Sequence, residues 1–199
     1  VCRSCKSPKL TKVYSLGKQT LTGIFPSIKK AKITKGILSM VICKKCKLLQ
    51  LEHNFNADEM YGENYGYMSS LNKSMVSHLK MKALHLRNKY NLKYKDCILD
   101  IGSNDGTFLN FFSQKNFNVG IDPSIKKFRR YYNKRTFTIN NFFSKKNILK
   151  FFKSKNNLKL KFDIISSFAI FYDIENPNKF CKDINSLLDD TGIWILEFS

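Results

Sequence analysis

The chain has 199 residues, a formal net charge of +20 and 43% hydrophobic residues. This apolar content is enough for a folded core, so a wholly disordered chain is excluded. No apolar stretch approaches the roughly 20 residues that a membrane span needs, and no signal segment opens the chain. We therefore expect a cytoplasmic protein that has no membrane partner.

The high positive charge by itself would suggest a nucleic-acid partner. Only 5 of the 35 basic residues are Arg, however, and the lysines are spread along the chain. Nucleic-acid sites favour Arg because its guanidinium makes bidentate contacts. The composition therefore favours a solvated, Lys-rich surface over a nucleic-acid interface, and it is compatible with a small anionic substrate.

Residues 1–52 form a first compositional unit, in which the apolar runs Val13–Leu16 and Leu38–Ile42 predict two short strands. Two C-x2-C pairs frame this unit, formed by Cys2, Cys5, Cys43 and Cys46. Such pairs bring four thiolates into a tetrahedron that suits zinc. Redox-active dithiols are the alternative, but these usually open a helix of a thioredoxin-like unit. The sequence predicts a closed, structural zinc site in a domain with little apolar core of its own.

Residues 53–95 are expected to be a connector between this domain and the next. The aromatic, glycine-bearing stretch from Tyr61 to Ser70 predicts an ordered loop. The spacing of apolar residues between Asn72 and Tyr90 predicts a helix. The histidines on this helix are expected to have surface or packing roles rather than to bind metal.

Residues 96–199 alternate between short apolar runs and amphipathic segments, which predicts βαβ units and a parallel sheet. The predicted elements are strands at 97–101, 118–121, 136–139, 162–168 and 192–196, with helices at 107–115, 124–132, 145–153 and 177–188. Because the last strand runs almost to the end of the chain, we expect the C-terminus to be truncated.

An acid and a glycine-bearing loop follow the first strand of this domain. The glycines Gly102 and Gly106 are spaced G-x3-G, unlike the G-x-G-x-x-G of dinucleotide sites. Glycines let a ligand approach the backbone at the carboxyl edge of the sheet. An acid there suits the sulfonium and amino groups of S-adenosylmethionine (SAM). The expected SAM contacts in this segment are Asp100, Gly102, Ser103, Asn104, Asp105 and Gly106.

A second acid, Asp122, ends the next strand 16 residues beyond Gly106. A carboxylate at this place can accept hydrogen bonds from both ribose hydroxyls of an adenosyl group. The alternative is a turn or helix-capping residue before Pro123, and both roles are compatible. Together with the loop, Asp122 and Pro123 predict an adenosyl ligand.

Four residues at or just after the ends of the third and fourth strands complete the expected cofactor contacts of this domain: Asn141, Phe142, Ser167 and Phe168. The first two offer an amide and an aromatic face to adenine, although a core role for Phe142 is equally compatible. Tyr172 and Asp173 come next along the chain, at the edge where the methyl acceptor is expected, and are candidate substrate contacts.

Five motifs, in this order, resemble those of the sugar C-methyltransferases, which act on 3-keto intermediates of nucleotide-linked deoxysugars. They are C-R-x-C at the start, C-x2-C-x-L-x-Q-L from Cys43, and the blocks Tyr65–Ser70, Asp100–Gly106 and Gly120–Ser124. The resemblance implies a class I methyltransferase with a Rossmann-like α/β fold, whose parallel sheet is incomplete here, behind a small zinc-binding domain. We also expect a monomer, and Tyr67, within the Tyr65–Ser70 block, is a further expected cofactor contact.

The resemblance also implies a reaction. A base removes a proton beside the keto group of the sugar, and the resulting enolate attacks the sulfonium methyl group. In the family this base is a His in a segment after the fifth strand, so the catalytic base is expected beyond Ser199. Many members carry a His after the fourth strand, where this chain has Asp173 as a candidate for binding a sugar hydroxyl.

Two other functions are compatible with parts of the sequence. A zinc-bearing rRNA methyltransferase would also place a cysteine module before a SAM domain, but the scarcity of Arg and the Tyr65–Ser70 block argue against it. A non-catalytic zinc-ribbon binding protein is the second, and the intact acid–glycine loop with Asp122 argues against that.

Overall fold

The computed structural model describes residues 1–21, 33–62, 65–153 and 161–198. The chain divides into two compact units. The first comprises Val1–Tyr67 and Ile174–Phe180, and the second comprises Met68–Asp173 and Cys181–Ser199. Residues 63 and 64 of the predicted connector loop lie outside the described part of the chain.

The first unit contains a three-stranded antiparallel sheet with strand order β1-β2-β3. Its strands are β1 (Leu10–Thr20), β2 (Lys35–Cys43) and β3 (Leu49–Leu51). They are followed by the short helix α1 (Ala57–Tyr61), whose first turn is capped by the side chain of Asn56. Both predicted strands of this region fall within β1 and β2, which are longer than predicted.

The core of the first unit is small. Burial along β2 alternates, with Ser39, Val41 and Cys43 buried and their neighbours more exposed, as expected for a strand with one covered face. Almost all of β1 is exposed. Because the described residues of the first unit bury little apolar surface, we expect the four-cysteine site to contribute much of the stability of this unit.

The second unit contains a five-stranded parallel sheet, in the order β6-β5-β4-β7-β8. Its strands are β4 (Cys97–Ile101), β5 (Phe117–Ile121), β6 (Phe137–Ile139), β7 (Phe162–Phe168) and β8 (Leu188–Glu197). The predicted parallel sheet is thus confirmed. Because the chain crosses from β6 at one edge to β7 beside β4, the strand order reverses next to β4, and ligands of such sheets bind at the carboxyl ends beside this reversal.

Four further helices are present in the described residues: α2 (Lys73–Lys89), α3 (Ile125–Phe128), α4 (Lys145–Lys153) and α5 (Pro177–Leu187). The predicted periodicity of α2 is confirmed, because Leu79, Ala83 and Leu86 are buried in the main core. The side chain of Asn72 caps this helix by accepting from the main-chain N–H groups of Ser74 and Met75. In the described part of the chain, none of the helices has the length and apolarity to span a membrane.

Two predicted helices are shorter in the structure. The segment 107–115 forms only a 3-10 turn at Leu109–Phe111, and the rings of Phe108 and Phe112, which pack edge to face, are both buried. Aromatic, Asn and Ser residues have weak helix propensity, and only this turn forms. The segment 124–132 forms the single turn α3, followed by a second 3-10 turn.

Candidate metal centre and cofactor site

The four cysteines of the two C-x2-C pairs come together in the first unit, with all four sulfur atoms within 4.8 Å of one another. The sulfur of Cys2 lies 3.5 Å from that of Cys46, and the sulfur of Cys5 lies 3.6 Å from that of Cys43. A zinc ion with Zn–S bonds of about 2.3 Å in a tetrahedron separates its sulfurs by roughly 3.8 Å. The donor set and its spacing therefore fit a zinc ion with four protein ligands.

The two cysteine pairs have the same local fold. In each, the N–H of the residue after the second Cys donates to the carbonyl of the first: Lys6 to Cys2 at 3.1 Å and Lys47 to Cys43 at 2.9 Å. Both lysines have left-handed backbone conformations, with φ of 61° and 65°. This turn aims the two thiols of a pair at one point, which is why the C-x2-C spacing forms half of a tetrahedral site.

Main-chain N–H groups also favour thiolates at this centre. Donation from the N–H groups of Cys46 and Lys45 lowers the pKa of Cys43 to about 6 in spite of burial. The N–H of Leu48 acts in the same direction on Cys46, but burial and the neighbouring thiols raise the pKa of Cys46 to about 11. Four crowded sulfurs cannot all ionise by themselves, and a divalent cation is the group that lets them do so.

In the second unit, the loop Gly102–Gly106 connects β4 to the following 3-10 turn. Gly102 and Gly106 have φ of +72° and +78°, which disfavours any other residue. A Cβ at Gly102 would meet the side chain of Ile170, and one at Gly106 would meet the ring of Tyr132 at 2.6 Å. These two glycines thus make room for side chains of the protein itself, in addition to any access that they give to a ligand.

Asn104, at the centre of this loop, is held by three other segments. Its N–H donates to Oδ2 of Asp122 at 3.0 Å, and its carbonyl accepts from the hydroxyl of Tyr132 at 2.7 Å. Its side-chain oxygen accepts from the N–H of Ser69 at 3.0 Å. Asn104 has a left-handed φ of 49°, and these contacts offset the cost of that conformation.

Asp105 is fully buried and binds the protein chain with both carboxylate oxygens. Oδ2 accepts from the N–H of Ser70 at 2.9 Å, and Oδ1 accepts from the N–H and hydroxyl of Thr107. The carboxylate therefore joins the loop to the segment that precedes α2. A contact between Asp105 and the cofactor stays a prediction.

Asp122, at the end of β5, stabilises a turn, as the structural alternative predicted. Its Oδ1 accepts from the N–H of Ser124 at 2.7 Å and from its hydroxyl, and its Oδ2 accepts from Asn104. A carboxylate offers about four acceptor positions, so about one is left for a ligand. Burial raises the pKa of Asp122 above its ordinary value. The predicted contact with ribose stays a prediction.

Asp100, within β4, is a buried carboxyl group beside the loop. Burial raises its pKa to about 7, although the hydroxyl of Ser166 donates to Oδ1 at 2.7 Å; the charge of Asp122 raises it further. A cation bound nearby would lower this pKa, because it favours the ionised carboxylate. Asp100 is thus suited to respond to a positively charged ligand.

The other predicted site residues lie in different environments. Asn141 is exposed after β6, and Phe142 is half-buried. Ser167 is fully buried and accepts from the indole N–H of Trp194 at 2.9 Å, while the ring of Phe168 packs edge to face on that of Phe108. Pro123 is half-buried between the buried residues Asp122 and Ser124, whereas Tyr172, Asp173 and, in the first unit, Tyr67 are exposed.

Three features of the second unit were not predicted. Tyr132 and Ser166 support the loop and Asp100, respectively, although nothing in their local sequence distinguishes them. His78 and Lys82 of α2 both bind the carboxylate of Glu197 at the end of β8, with contacts of 2.8 and 2.9 Å. Their spacing of four residues along a helix was the one available signal for this cluster.

The strand order and the acid–glycine loop of the second unit define the class I, Rossmann-like fold of the SAM-dependent methyltransferases. The chain belongs to the family of the methyltransferase domain, whose model matches residues 75–199. A second family model, that of a zinc binding domain, matches residues 2–61. The predicted fold class and the predicted zinc-binding domain are therefore confirmed.

The C-methyltransferase NovU of Streptomyces niveus is 29% identical over 126 residues, which are 62% of this chain and 30% of NovU. The chain thus spans about a third of the length of this curated relative.

Among solved structures, the plantazolicin methyltransferase BpumL, in complex with a triazolic desmethylPZN analog and SAH, is 18% identical, with a TM-score of 0.47 over 65% of this chain and 49% of that one. A SAM-dependent methyltransferase of Clostridium acetobutylicum ATCC 824 is 19% identical, with a TM-score of 0.41 over 61% of this chain and 49% of that one.

Proposed function

We propose that this protein is a SAM-dependent C-methyltransferase that acts on a nucleotide-linked keto-deoxysugar through an enolate. The observation that carries the proposal is the convergence of two buried acids, Asp100 and Asp122, on the loop Gly102–Gly106 at the carboxyl edge of a parallel sheet. The family of the methyltransferase domain and the similarity to the C-methyltransferase NovU support it.

The residues at this edge suit SAM. Asp122 keeps about one acceptor position, which can take a ribose hydroxyl. Asp100 has a pKa of about 7 and supplies negative charge that favours a sulfonium or an ammonium group. When bound, SAM supplies a methyl group activated by the adjacent positive sulfur.

The acceptor has to become a nucleophile at carbon. A general base takes a proton from the carbon beside a carbonyl group, and the electron pair of that C–H bond is delocalised into an enolate. The enolate carbon then forms a bond to the methyl group, while the methyl–sulfur bond breaks and leaves SAH. Tyr172 and Asp173, both exposed after β7, are proposed to contact the sugar. The zinc centre has four protein ligands and is proposed to be structural.

Binding measurements distinguish the sugar substrate from RNA. We expect the SAH-saturated protein to bind a nucleotide-linked 3-keto-deoxysugar more tightly than a ribosomal RNA fragment, with weak dependence on salt. Asp173→Asn should weaken sugar binding, whereas Asp190→Asn, at an exposed position of β8, should not. Tighter binding of the RNA, falling steeply with salt, would contradict the sugar substrate and favour an rRNA methyltransferase.

A further inference from the structure

Tyr132 lies beneath the proposed cofactor loop and contacts it through both its ring and its hydroxyl. The side chain is buried, and burial raises the pKa of the phenol well above its ordinary value. The hydroxyl therefore keeps its proton and can donate. It donates to the carbonyl of Asn104 at 2.7 Å and lies 2.8 Å from the hydroxyl of Ser103.

The ring of Tyr132 fills the space that two glycines leave open. A Cβ at Gly106 would lie 2.6 Å from the ring. A Cβ at Gly120 would lie 2.7 Å from Oγ of Ser103 and 3.0 Å from the ring. Gly106 closes the loop and Gly120 lies in β5, so the ring packs against the loop and against the sheet below it. The Tyr132 side chain thus contacts the loop in two ways: its hydroxyl binds the loop backbone, and its ring packs where the glycines lack a side chain.

This contact completes the support of Asn104. Asp122 holds the N–H of Asn104, and Tyr132 holds its carbonyl. Without the phenol, a buried carbonyl in a left-handed segment would lose its partner, which costs more than an ordinary hydrogen bond contributes. The loop would then sample other conformations while the strands on either side stay folded.

We infer that Tyr132 is a positioning residue for cofactor binding: its ring and hydroxyl fix the conformation of residues 103–106 so that the loop is ready for SAM. This inference rests on the proposed function for its ligand. It assigns to Gly106 the role of leaving room for the Tyr132 ring, and to Gly120 that of leaving room for the ring together with the hydroxyl of Ser103. Pre-organisation of this kind improves affinity because the loop does not have to be ordered on binding.

The test compares Tyr132→Phe with Tyr131→Phe. The Phe variant keeps the ring and removes only the hydroxyl. The neighbouring Tyr131 is exposed, and its hydroxyl accepts from the guanidinium of Arg130. For Tyr132→Phe we expect amide exchange at Asn104 and Gly106 to speed up about tenfold and the Kd for SAM to rise about five- to tenfold. Exchange in β7 and β8 should not change, and Tyr131→Phe should match the wild type.

Ser103→Ala, which removes a smaller part of the same contact, should give a smaller change in the same direction. Unchanged loop exchange and unchanged SAM affinity in Tyr132→Phe would overturn the inference. A global rise in exchange, including β7 and β8, would also overturn it, because Tyr132 would then be a general core residue. If the wild type binds no SAM, the proposed function fails. Faster amide exchange confined to the loop in Tyr132→Phe would then still show that Tyr132 orders residues 103–106.

Discussion

The main-chain N–H of Asn104 donates to Oδ2 of Asp122 at 3.0 Å, so the acid that ends β5 also fixes the loop that follows β4. The same carboxylate binds the backbone and hydroxyl of Ser124 through its other oxygen. Two adjacent strand ends are therefore joined by one side chain, at the edge where a parallel sheet binds its ligands. We therefore expect both the conformation of the loop and the affinity for the ligand to depend on the Asp122 side chain.

Asp122→Asn tests this connection. The substitution keeps the size of the side chain but removes its charge and one of its acceptor oxygens, and hydrogen bonds to a charged group contribute about 1.5–3 kcal/mol. We expect the Kd for SAM to rise roughly 10- to 100-fold, measured by calorimetry. Asp96→Asn is the matched control, because Asp96 also accepts from a nearby backbone N–H, that of Lys93, but precedes β4. Equal affinity in wild type and Asp122→Asn would contradict the assignment.

Loss of zinc should unfold the first unit. The segment Ile174–Phe180 belongs to this unit, where the amide of Asn178 donates to the carbonyl of Ser4 between the first two cysteines. In Cys43→Ser we expect the metal content to fall from about one zinc per chain and amide protection to be lost over both parts of the unit. Metal analysis and hydrogen exchange report this, and Cys181→Ser should keep both properties. Full protection without metal would show that the site does not hold the unit together.

Affinity for SAM should increase with pH around neutrality. The pKa of Asp100 is raised to about 7 by burial, so the carboxyl is largely protonated below that pH. A cationic ligand prefers the ionised form, so affinity should fall by up to about tenfold per pH unit below pH 7. Calorimetry between pH 6 and 8 measures this slope, which Asp100→Asn should flatten. A wild-type affinity independent of pH would exclude Asp100 as the responsive group.

The raised pKa of Asp100 has the opposite effect on folding of the free protein. A carboxyl group whose pKa is higher in the folded state stabilises that state at low pH, and this contribution is lost as the pH rises through about 7. The free energy of unfolding should therefore decline from pH 5 to pH 8 in the wild type, relative to Asp100→Asn. Urea titrations at both pH values test the sign.

The cluster of Glu197, His78 and Lys82 should stabilise the second unit at neutral pH. Burial acts to raise the pKa of Glu197, but the hydrogen bonds from Lys82 and His78 leave it below its ordinary value. Since the group is partly exposed, Glu197→Gln should cost only about 0.5–1 kcal/mol at pH 7. A depressed pKa gives stability that is present above the unfolded pKa of about 4.3 and lost below it.

Thermal unfolding of this variant across pH provides the measurement. The difference between wild type and Glu197→Gln should shrink as the pH falls below about 4. Asp190→Asn, an exposed position on the same strand, should show no difference at either pH. A Glu197→Gln penalty that persists unchanged at pH 3 would show that packing, rather than charge, is responsible.

Much of this architecture follows from local patterns in the sequence. The alternation of strands and helices predicts the parallel sheet, and the C-x2-C spacing predicts the four-sulfur centre, because both depend on short-range geometry. The predicted helix 107–115 was wrong: the apolar spacing is helical, but the Phe, Asn and Ser residues of the segment have weak helix propensity, and only a 3-10 turn forms. Tyr132 and Ser166 could not be predicted either, because their roles arise from contacts 28 and 66 residues away in the chain.

The most direct test of a SAM site at the acid–glycine loop is calorimetric titration of the zinc-loaded wild-type protein with SAM, alongside Asp122→Ala. We expect one SAM to bind per chain, and we expect the variant to bind far more weakly while it keeps its zinc and its folded second unit. Absence of SAM binding by the folded, zinc-loaded wild type would contradict the central claim.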